Sequence, residues 1–420
     1  MKVLWLYYHV PQFLLSELDN KEWVRGTGWV DSLLEKLLNV ESVKLSVLFP
    51  YNGDGLKHGR KEKLEYFAYS KRDKSEIKKL YKKILQQVDP DIIHVWGSEA
   101  LINRLMIEVC NELSMRERIV LNLQGFCFTI NWHYRADIPA RFFYGYTFRD
   151  LVKRDNLLLQ QKKFGKRGEN ELWALQNVAH VIGRTDWDRA NALSVNSDLR
   201  YYFSNEILRA CFYDGRWSYQ NCEKYTIFMS QATYPIKGLH YVLRALKGVK
   251  KQYPNVLLRI AGPDYVRMNG GLKSRIKDGG YARYLRKLIL EGDLGDNVMF
   301  VGELDAEQMK AEYLRTNLFI SASTVENESN SLSEAKILGV PVIVSYVGGV
   351  TNRIIHGYDG FAYQHDAVYM LEYYIKEIFV NSSMAERMGE NAIKSAGKVN
   401  DVDKNVNTFV EIYKQIAREA

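Results

Sequence analysis

Short apolar runs alternate along the chain with longer segments of helical periodicity. In the first half, runs rich in β-branched residues predict strands at Lys2–Tyr8, Val43–Phe49, Ile92–Trp96, Ile119–Leu123 and Ala179–Ile182. Apolar residues recur every three to four positions over residues 30–38, 75–87, 101–113 and a longer polar and aromatic stretch around 140–178. This alternation is typical of α/β domains with parallel sheets.

The second half of the chain repeats the same alternation. Strands are predicted at Thr226–Met229, Val256–Ala261, Val298–Val301, Leu318–Ser321 and Val342–Ser345. Helices are predicted over residues 238–251, 281–291, 306–315 and 330–338, and the chain after residue 365 is helical almost to its end. Turn residues fill positions 205–224. The pattern therefore predicts two doubly wound, Rossmann-like domains with parallel sheets that face each other across a cleft.

Composition and cysteine content narrow the class of protein. The 420 residues are 46% hydrophobic and 26% charged, which excludes a mainly disordered, collagen-like or coiled-coil chain. No apolar run approaches the roughly 18 residues that cross a bilayer. The apolar N-terminus stops at Pro11 without a signal-peptidase site and is interpreted as a first strand. The four cysteines show neither CxxC nor metal-ligand spacing, so we expect a reducing cytoplasm.

The positive charge is concentrated in the first half of the chain. The net charge is +8, and residues 1–205 hold 31 Lys and Arg against 25 Asp and Glu. Such an excess suits an anionic partner, which would be a phosphate-bearing substrate, an acidic membrane surface or a nucleic acid. A solvated lysine-rich helix face, as over residues 71–83, is the alternative. Nucleic acid is the least favoured partner, because no recognition motif accompanies the basic residues.

The most informative loop follows the predicted strand Leu318–Ser321. Glu326 lies in this loop, and Glu334 lies about one turn into a helix that starts near Asn330. In doubly wound sheets, ligands bind at the loops after the carboxyl ends of the strands. The start of the helix offers free backbone N–H groups to a phosphate, and carboxylates accept hydrogen bonds from sugar hydroxyls.

This segment resembles the retaining glycosyltransferases of family four, which have the GT-B fold. Glu326 and Glu334 are separated by seven residues, and Ala335, the run Gly339–Ile343 and the Gly348-Gly349 turn follow in register. The segment His356–Phe361 is similar to the family's G-x-x-G-hydrophobic motif. The resemblance implies an acceptor-side domain over residues 1–205 and a donor-binding domain over 206–401. It also implies a last helix, about 402–420, that crosses back to the first domain.

The resemblance also implies roles for individual residues of the donor site. Lys237 and Glu326 are the implied catalytic residues, because the lysine would stabilise the leaving diphosphate and the glutamate would hold the donor sugar. The implied donor-binding residues are Glu334 for the ribose and, around it, Gln231, Gly238, Asn330, Ser331, Leu332, Gly262, Val301, Gly302, Leu304, Gly26 and Gly28. The family usually has an arginine shortly before the lysine, where this chain has Gln231 or Ala232.

Acceptor-side residues are predicted in the first half of the chain. They are Gln124, His133, Arg135, Arg184 and Asp186. Gln124 replaces a histidine that many relatives carry near the reacting sugar, and an interdomain salt bridge is the alternative role for Arg184 and Asp186. The aromatic and basic segment 131–146 could stack on sugars, dock a lipid-linked acceptor at a membrane, or simply pack as a helical hairpin on its own domain.

The resemblance therefore implies a metal-independent, retaining glycosyltransferase without a cofactor. Its donor would be a nucleoside-diphosphate sugar and its acceptor a saccharide or lipid-linked saccharide, in the synthesis of a cell-surface polysaccharide. The expected location is the cytoplasm, with peripheral contact at the anionic inner membrane face and no nucleic-acid partner. A catalytically degenerate GT-B scaffold in a polysaccharide-assembly complex is the alternative. An epimerase or phosphorylase is disfavoured by the complete Glu-x7-Glu segment.

Overall fold

The described residues form two compact units. The computed structural model describes residues 1–18, 28–70, 73–267, 271 and 276–420. The first unit comprises Met1–Phe128, Lys166–Arg209 and Val399–Ala420. The second unit comprises Thr129–Gly165 and Ala210–Lys398. Each unit is built on its own sheet, so the prediction of an α/β architecture with two mainly parallel sheets is confirmed.

The chain passes between the units close to the predicted boundary at residue 205, between Arg209 and Ala210. The C-terminal helix is grouped with the first unit. The segment Thr129–Gly165 differs from the division read from the sequence, because it is grouped with the second unit. Within that unit the ring of Phe142 lies 5.1 Å from the ring of Tyr284. Periodicity alone shows that such a segment is helical and does not show where it packs.

The sheet of the first unit has eight strands in the order β3-β4-β2-β1-β5-β6-β7-β8 among the described residues. They are β1 (Lys2–Leu6), β2 (Lys44–Pro50), β3 (Leu56–Lys61), β4 (Leu64–Tyr69), β5 (Ile92–Trp96), β6 (Ile119–Asn122), β7 (His180–Gly183) and β8 (Arg200–Phe203). All pairs are parallel except β3 with β4. The sequence analysis missed β3, β4 and β8, since β3 and β8 are edge strands with mostly exposed or half-buried residues.

The sheet of the second unit has six parallel strands in the order β11-β10-β9-β12-β13-β14 among the described residues. They are β9 (Thr226–Met229), β10 (Leu257–Ile260), β11 (Val298–Phe300), β12 (Leu318–Ser321), β13 (Val342–Ser345) and β14 (Phe361–Tyr363). The first five correspond to predicted strands. The central strands β9 and β12 are neighbours, so the loops that follow them emerge side by side at one edge.

Most helices follow the predicted periodic segments, whereas those at Cys127–His133 and Asp186–Val195 were not predicted. They are α1 (Gly28–Leu37), α2 (Lys74–Val88), α3 (Leu101–Glu112), α4 (Cys127–His133), α5 (Ala140–Phe143), α6 (Phe148–Lys153), α7 (Leu157–Asn177), α8 (Asp186–Val195), α9 (Leu239–Lys250), α10 (Gly280–Glu291), α11 (Ala306–Arg315), α12 (Asn330–Ile337), α13 (Val368–Val380), α14 (Ser382–Val399) and α15 (Val402–Glu419). The helical stretch predicted around 140–178 is divided into α5, α6 and α7, because Thr147 and Asn156 each bond a backbone N–H three residues later.

Helices cover both faces of the first sheet. One face packs on α2, α3 and α7, and the other packs on α1 and α15. On the second face, Tyr413 of α15 shares a 2.5 Å hydrogen bond with Nδ1 of the buried His94 and accepts one of 3.1 Å from Trp5 Nε1. His94 also stacks on Trp96 at 4.1 Å between ring centroids. The histidine of this strand is therefore part of the core.

Candidate functional site

Three loops of the second unit lie side by side at the carboxyl edge of its sheet. They follow β9, β12 and β13, which are neighbouring strands. The loop after β9 ends in a short 3-10 turn, Pro235–Lys237, before α9 begins. The loop after β12 leads into α12, and the loop after β13 enters a turn at Gly348–Asn352. Open α/β sheets bind their ligands at this edge.

Lys237 and Glu326 form an ion pair at this edge. The lysine Nζ lies 2.6 Å from Glu326 Oε2, and Ser323 Oγ donates a 3.1 Å hydrogen bond to the same oxygen. The side chains are 23% and 16% exposed, so solvent reaches both charged groups. The two predicted catalytic residues are therefore brought together although 89 positions separate them in the sequence.

Two glycines allow the loops to approach each other closely. Gly238 has a φ of +73°, and a Cβ there would lie 1.9 Å from the carbonyl oxygen of Ala322. Gly348 has a φ of +49°, and a Cβ there would lie 2.0 Å from the carbonyl oxygen of Glu326. The amide of Gly349 then donates a 3.0 Å hydrogen bond to that oxygen. Only residues without a side chain permit this main-chain contact around Glu326.

The start of α12 carries several of the predicted donor-binding residues. Ser329 caps the helix by accepting a hydrogen bond from the Leu332 amide at 3.3 Å. Asn330 and Ser331 are half-buried at the first turn, and Leu332 is buried. The helix therefore presents its first turn at the same sheet edge as Lys237.

Glu334 lies one turn further along α12 and is buried, with 5% of its surface exposed. The Tyr313 hydroxyl lies 3.3 Å from Glu334 Oε2 and 3.1 Å from the Ser331 carbonyl oxygen. A buried carboxylate oriented by a tyrosine is a fixed acceptor, which suits recognition of a pair of hydroxyl groups.

The loops after β10 and β11 also meet at this edge. The Gly262 amide donates a 2.7 Å hydrogen bond to the Gly302 carbonyl oxygen. Both glycines have positive φ, +111° and +80°, and a Cβ on either would meet no atom within 4 Å among the described residues. Val301 and Leu304 are half-buried beside Gly302, and Gln231 is exposed in the loop after β9.

The sequence analysis missed two buried ion pairs that support these loops. Lys336 on α12 bonds Asp359 at 2.8 Å, and Arg353 lies 2.6 Å from Glu328 in the loop after β12. Burial lowers the pKa of Lys336, and the neighbouring Asp359 opposes that shift. The sequence did carry one indication of the first pair. Asp359 lies inside the segment His356–Phe361, and a buried carboxylate needs a partner of opposite charge.

The predicted acceptor-side residues of the first unit lie at the carboxyl ends of β6 and β7. Arg184 is buried and forms an ion pair with Glu206, and it also donates to the carbonyl oxygens of Leu123 at 3.4 Å and Gln124 at 3.2 Å. The Gln124 side chain donates to Asn122 Oδ1 at 2.6 Å. The ion-pair partner of Arg184 thus belongs to the same unit, so the guanidinium is held inside that unit.

The remaining predicted residues have varied surroundings. Asp186 is exposed in the first turn of α8. Gly28 starts α1, and a Cβ there would lie 2.7 Å from the Arg209 side chain. Gly26 lies outside the described residues.

His133 and Arg135 belong to the second unit rather than to the acceptor-side domain predicted from the sequence. Both are exposed. Partial burial lowers the pKa of His133, and the nearby His365 lowers it further. Arg135 bonds the Ile138 carbonyl oxygen at 3.3 Å and lies 5.9 Å from the centroid of the Tyr144 ring. They are grouped with the second unit because the whole segment Thr129–Gly165, which contains both residues, packs within that unit.

Comparison with known proteins shows similarity to one family over part of the chain. Residues 217–395 match the family model described as glycosyl transferases group 1. Alpha-monoglucosyldiacylglycerol synthase of Streptococcus pneumoniae is 28% identical over 183 residues, which cover 43% of this chain and 38% of that protein. The matched regions span less than half the length of the curated relatives, between 38% and 46%.

Solved structures extend the likeness to nearly the whole chain. Sucrose-phosphate synthase from Thermosynechococcus elongatus superposes with a TM-score of 0.70 at 16% identity, with all of both chains covered. HepE of Anabaena, solved in complex with UDP, superposes with a TM-score of 0.65 at 14% identity over 99% of this chain and 100% of its own. At these identities the likeness shows the fold. The chain thus has the GT-B fold, and its residues 217–395 are similar to the glycosyl transferases group 1 family.

Proposed function

We propose that this protein is a retaining glycosyltransferase that uses a nucleoside-diphosphate sugar without a metal ion. The observation that carries the proposal is the pairing of Lys237 with Glu326 at the carboxyl edge of the second sheet, where Glu326 lies in the loop that leads into the helix of the buried Glu334. Such a donor combines a diphosphate with two sets of sugar hydroxyls. A cation can stabilise the diphosphate, and each of the two carboxylates can accept hydrogen bonds from one set of hydroxyls.

Each of these residues has a role in the proposed reaction. Lys237 stabilises the negative charge that develops on the leaving diphosphate, Glu326 holds hydroxyls of the donor sugar, and Glu334 holds the ribose hydroxyls. The bond between the anomeric carbon and the phosphate oxygen breaks, and a bond to the acceptor oxygen forms on the same face. The departing phosphate oxygen takes the acceptor's proton, so the protein needs no separate base.

The acceptor in this proposal is a saccharide or a lipid-linked saccharide, in the synthesis of a cell-surface polysaccharide. The name of the Streptococcus relative supports a lipid acceptor, since its product is a glucosylated diacylglycerol. The HepE complex supports testing uridine nucleotides first.

The absence of an arginine before Lys237 favours a second candidate function, a degenerate GT-B scaffold. Where the family usually has that arginine, this chain has the exposed Gln231 or the buried Ala232. A scaffold of this kind would bind a nucleotide weakly or not at all and would not turn over a donor.

Turnover of the donor tests the proposed function. Incubation with UDP-, GDP- and ADP-sugars, with EDTA present, should release a nucleoside diphosphate from one donor, and proton NMR should show that the first-formed product keeps the anomeric configuration. Glu326→Gln should lower turnover about a hundredfold with little change in nucleotide affinity. The matched control is Glu386→Gln on an exposed turn of α14, which should behave as wild type. Turnover of no donor would favour the scaffold, and inversion would refute the stereochemistry.

A further inference from the structure

The short helix α6 in the second unit has its polar side buried and its apolar side exposed. Thr147 and Asp150 form a capping box, in which each side chain bonds the other's backbone amide at 3.1 Å, and both residues are buried. Phe148, Leu151 and Val152 are 65%, 61% and 64% exposed. Positions i, i+3 and i+4 of a helix share one face, so these three side chains form one apolar strip that faces solvent.

The buried side of α6 is held firmly, so the exposed strip is a fixed feature of this surface. Arg149 lies 3.2 Å from Asp150 and 3.5 Å from Asp155. A Cβ on Gly279, just before α10, would lie 3.3 Å from Asp150 Oδ1, which places the start of α10 against the polar side. The ion pairs and this close packing fix α6 in its orientation.

Two tyrosines extend the apolar strip. Tyr144 and Tyr146, in the turn that leads into α6, are 51% and 53% exposed. We call Tyr144, Tyr146, Phe148, Leu151 and Val152 the α6 surface. Soluble proteins usually expose apolar side chains singly, and a cluster of this size normally marks an interaction site. Tyrosines beside aliphatic side chains are typical of the interface between water and a bilayer.

The charges around the α6 surface select the kind of partner. Residues 129–165 contain seven Lys and Arg but only three Asp. All three acids are engaged within the unit. Asp137 accepts a 2.6 Å hydrogen bond from Tyr241, Asp150 accepts hydrogen bonds within the α6 cap, and Asp155 pairs with Lys163 at 2.7 Å. The uncompensated charge next to the apolar strip is therefore positive.

The cations at the border of the strip are accessible. Arg141, Lys153 and Arg154 are exposed, and none of them forms an ion pair with another residue in the part of the chain that the structure describes. Two copies of the chain that met through this surface would bring these cations together, which is unfavourable. An anionic lipid surface would attract them while its acyl boundary accepts the apolar strip.

We propose that the α6 surface is a docking site for an anionic lipid bilayer, on which it lies peripherally. Phe148, Leu151 and Val152 enter the boundary between headgroups and acyl chains, the tyrosines lie at headgroup level, and Arg141, Lys153 and Arg154 contact lipid phosphates. This inference rests on the surface alone and does not require the proposed transferase activity. Within the described residues, no helix is both long and apolar enough to cross a membrane.

Vesicle sedimentation tests the inference on the full chain. Wild type should sediment with vesicles of phosphatidylcholine containing about 30% phosphatidylglycerol and far less with pure phosphatidylcholine. The double variant Leu151→Ser with Val152→Ser should lower the partition coefficient about tenfold. Charge reversal by Lys153→Glu with Arg154→Glu should lower it by at least about fivefold for each cation lost. High salt should weaken wild-type binding as well.

Leu290→Ser is the matched control, because Leu290 is 65% exposed on α10 of the same unit and has no role in the proposed surface. It should bind vesicles as wild type does, and unchanged circular dichroism and melting temperature should show that every variant folds. The inference is overturned if folded wild type does not bind anionic vesicles, or if the double variant binds them as strongly as wild type does. It is also overturned if sedimentation velocity shows a dimer that the double variant abolishes, since a second copy would then occupy the surface.

Discussion

At the scale of single residues, exposure distinguishes the ion pair of the candidate site from the two ion pairs that support its loops. Lys336 with Asp359 and Arg353 with Glu328 have at most 7% of each side chain exposed, whereas Lys237 and Glu326 are 23% and 16% exposed. A fully buried pair is expensive to open, because it leaves a charge without a partner in the interior. An accessible pair can exchange partners with a ligand. This difference identifies Lys237 and Glu326 as the pair suited to binding.

Replacement of Lys237 tests this interpretation. Lys237→Ala should raise the dissociation constant of the preferred nucleoside diphosphate roughly 10- to 100-fold, because a hydrogen bond between charged groups is lost. Lys237→Arg keeps the charge and should retain most of the affinity. Isothermal titration calorimetry of the three proteins gives the comparison. Equal affinity of wild type and Lys237→Ala would show that the lysine does not contact the diphosphate.

A second residue-scale prediction concerns pH and the buried His94. Burial lowers the pKa of His94 to about 3, while an unfolded histidine titrates near 6.5. Between these values the unfolded chain binds more protons than the folded one, so stability that is present above about pH 6.5 is lost as the pH falls toward 3.

His94→Gln should therefore flatten the decline of the unfolding midpoint below about pH 6.5, whatever its effect at neutral pH. Urea unfolding at a series of pH values measures the slope. An identical acid dependence in His94→Gln and wild type would rule out the proposed contribution.

Residue-level sequence reading identified side chains better than it identified their partners. The spacing of Glu326 and Glu334 and the Lys237-Gly238 dipeptide could be read directly from the chain. The pairing of Arg184 with Glu206 could not be read from the chain, because no motif links the two residues and their contact depends on how the strands are arranged. The roles assigned to these residues in catalysis stay predictions.

At the scale of elements, close main-chain contacts determine the shape of the candidate site. The loops after β9, β12 and β13 touch through Gly238 against Ala322 and through Gly348 against Glu326. Because Lys237 precedes Gly238 and Glu326 is held at its own carbonyl oxygen, backbone geometry rather than side-chain packing sets the position of the ion pair. The site therefore depends on these glycines as much as on its charged residues.

Gly238→Ala should disrupt the site and destabilise the protein by at least about 2 kcal/mol, because the φ of +73° and the contact with Ala322 both exclude a Cβ. Gly397→Ala is the matched control within α14. Open space surrounds Gly397, so alanine should raise helix propensity and stabilise by up to about 1 kcal/mol. Denaturant unfolding of both variants measures the effects. Equal stability of Gly238→Ala and wild type would contradict the geometry.

Periodicity predicted the buried elements well and the exposed ones poorly. Strands β5 and β9 are buried along their whole length and mostly apolar, and they were found. The exposed edge strand β3, with the sequence LKHGRK, has no apolar alternation and was missed. The break between α5 and α6 depends on the Thr147 capping box, a side-chain interaction that competes with a continuous helix.

At the scale of the whole molecule, the order of residues in the chain does not match the grouping of residues in the units. The last helix, α15, returns to the first unit, where Tyr413 bonds Trp5 across 408 positions. Residues 129–165 leave the first half and join the second unit. The family resemblance implied the first of these exchanges. The second has no sequence signal, because helical periodicity does not specify which neighbour a helix covers.

The central claim is that the second unit binds a nucleoside diphosphate through Glu334, which holds the ribose, and Lys237, which contacts the diphosphate. Thermal unfolding of wild type and Glu334→Ala with UDP, GDP, ADP and their sugar conjugates, without metal, tests it most directly. The nucleotides of one base should raise the melting temperature of wild type by several degrees. A ligand at about 100 times its dissociation constant adds about 2.7 kcal/mol to the free energy of unfolding. Glu334→Ala should lose that shift. No shift with any nucleotide, or the same shift in the variant, would contradict the account.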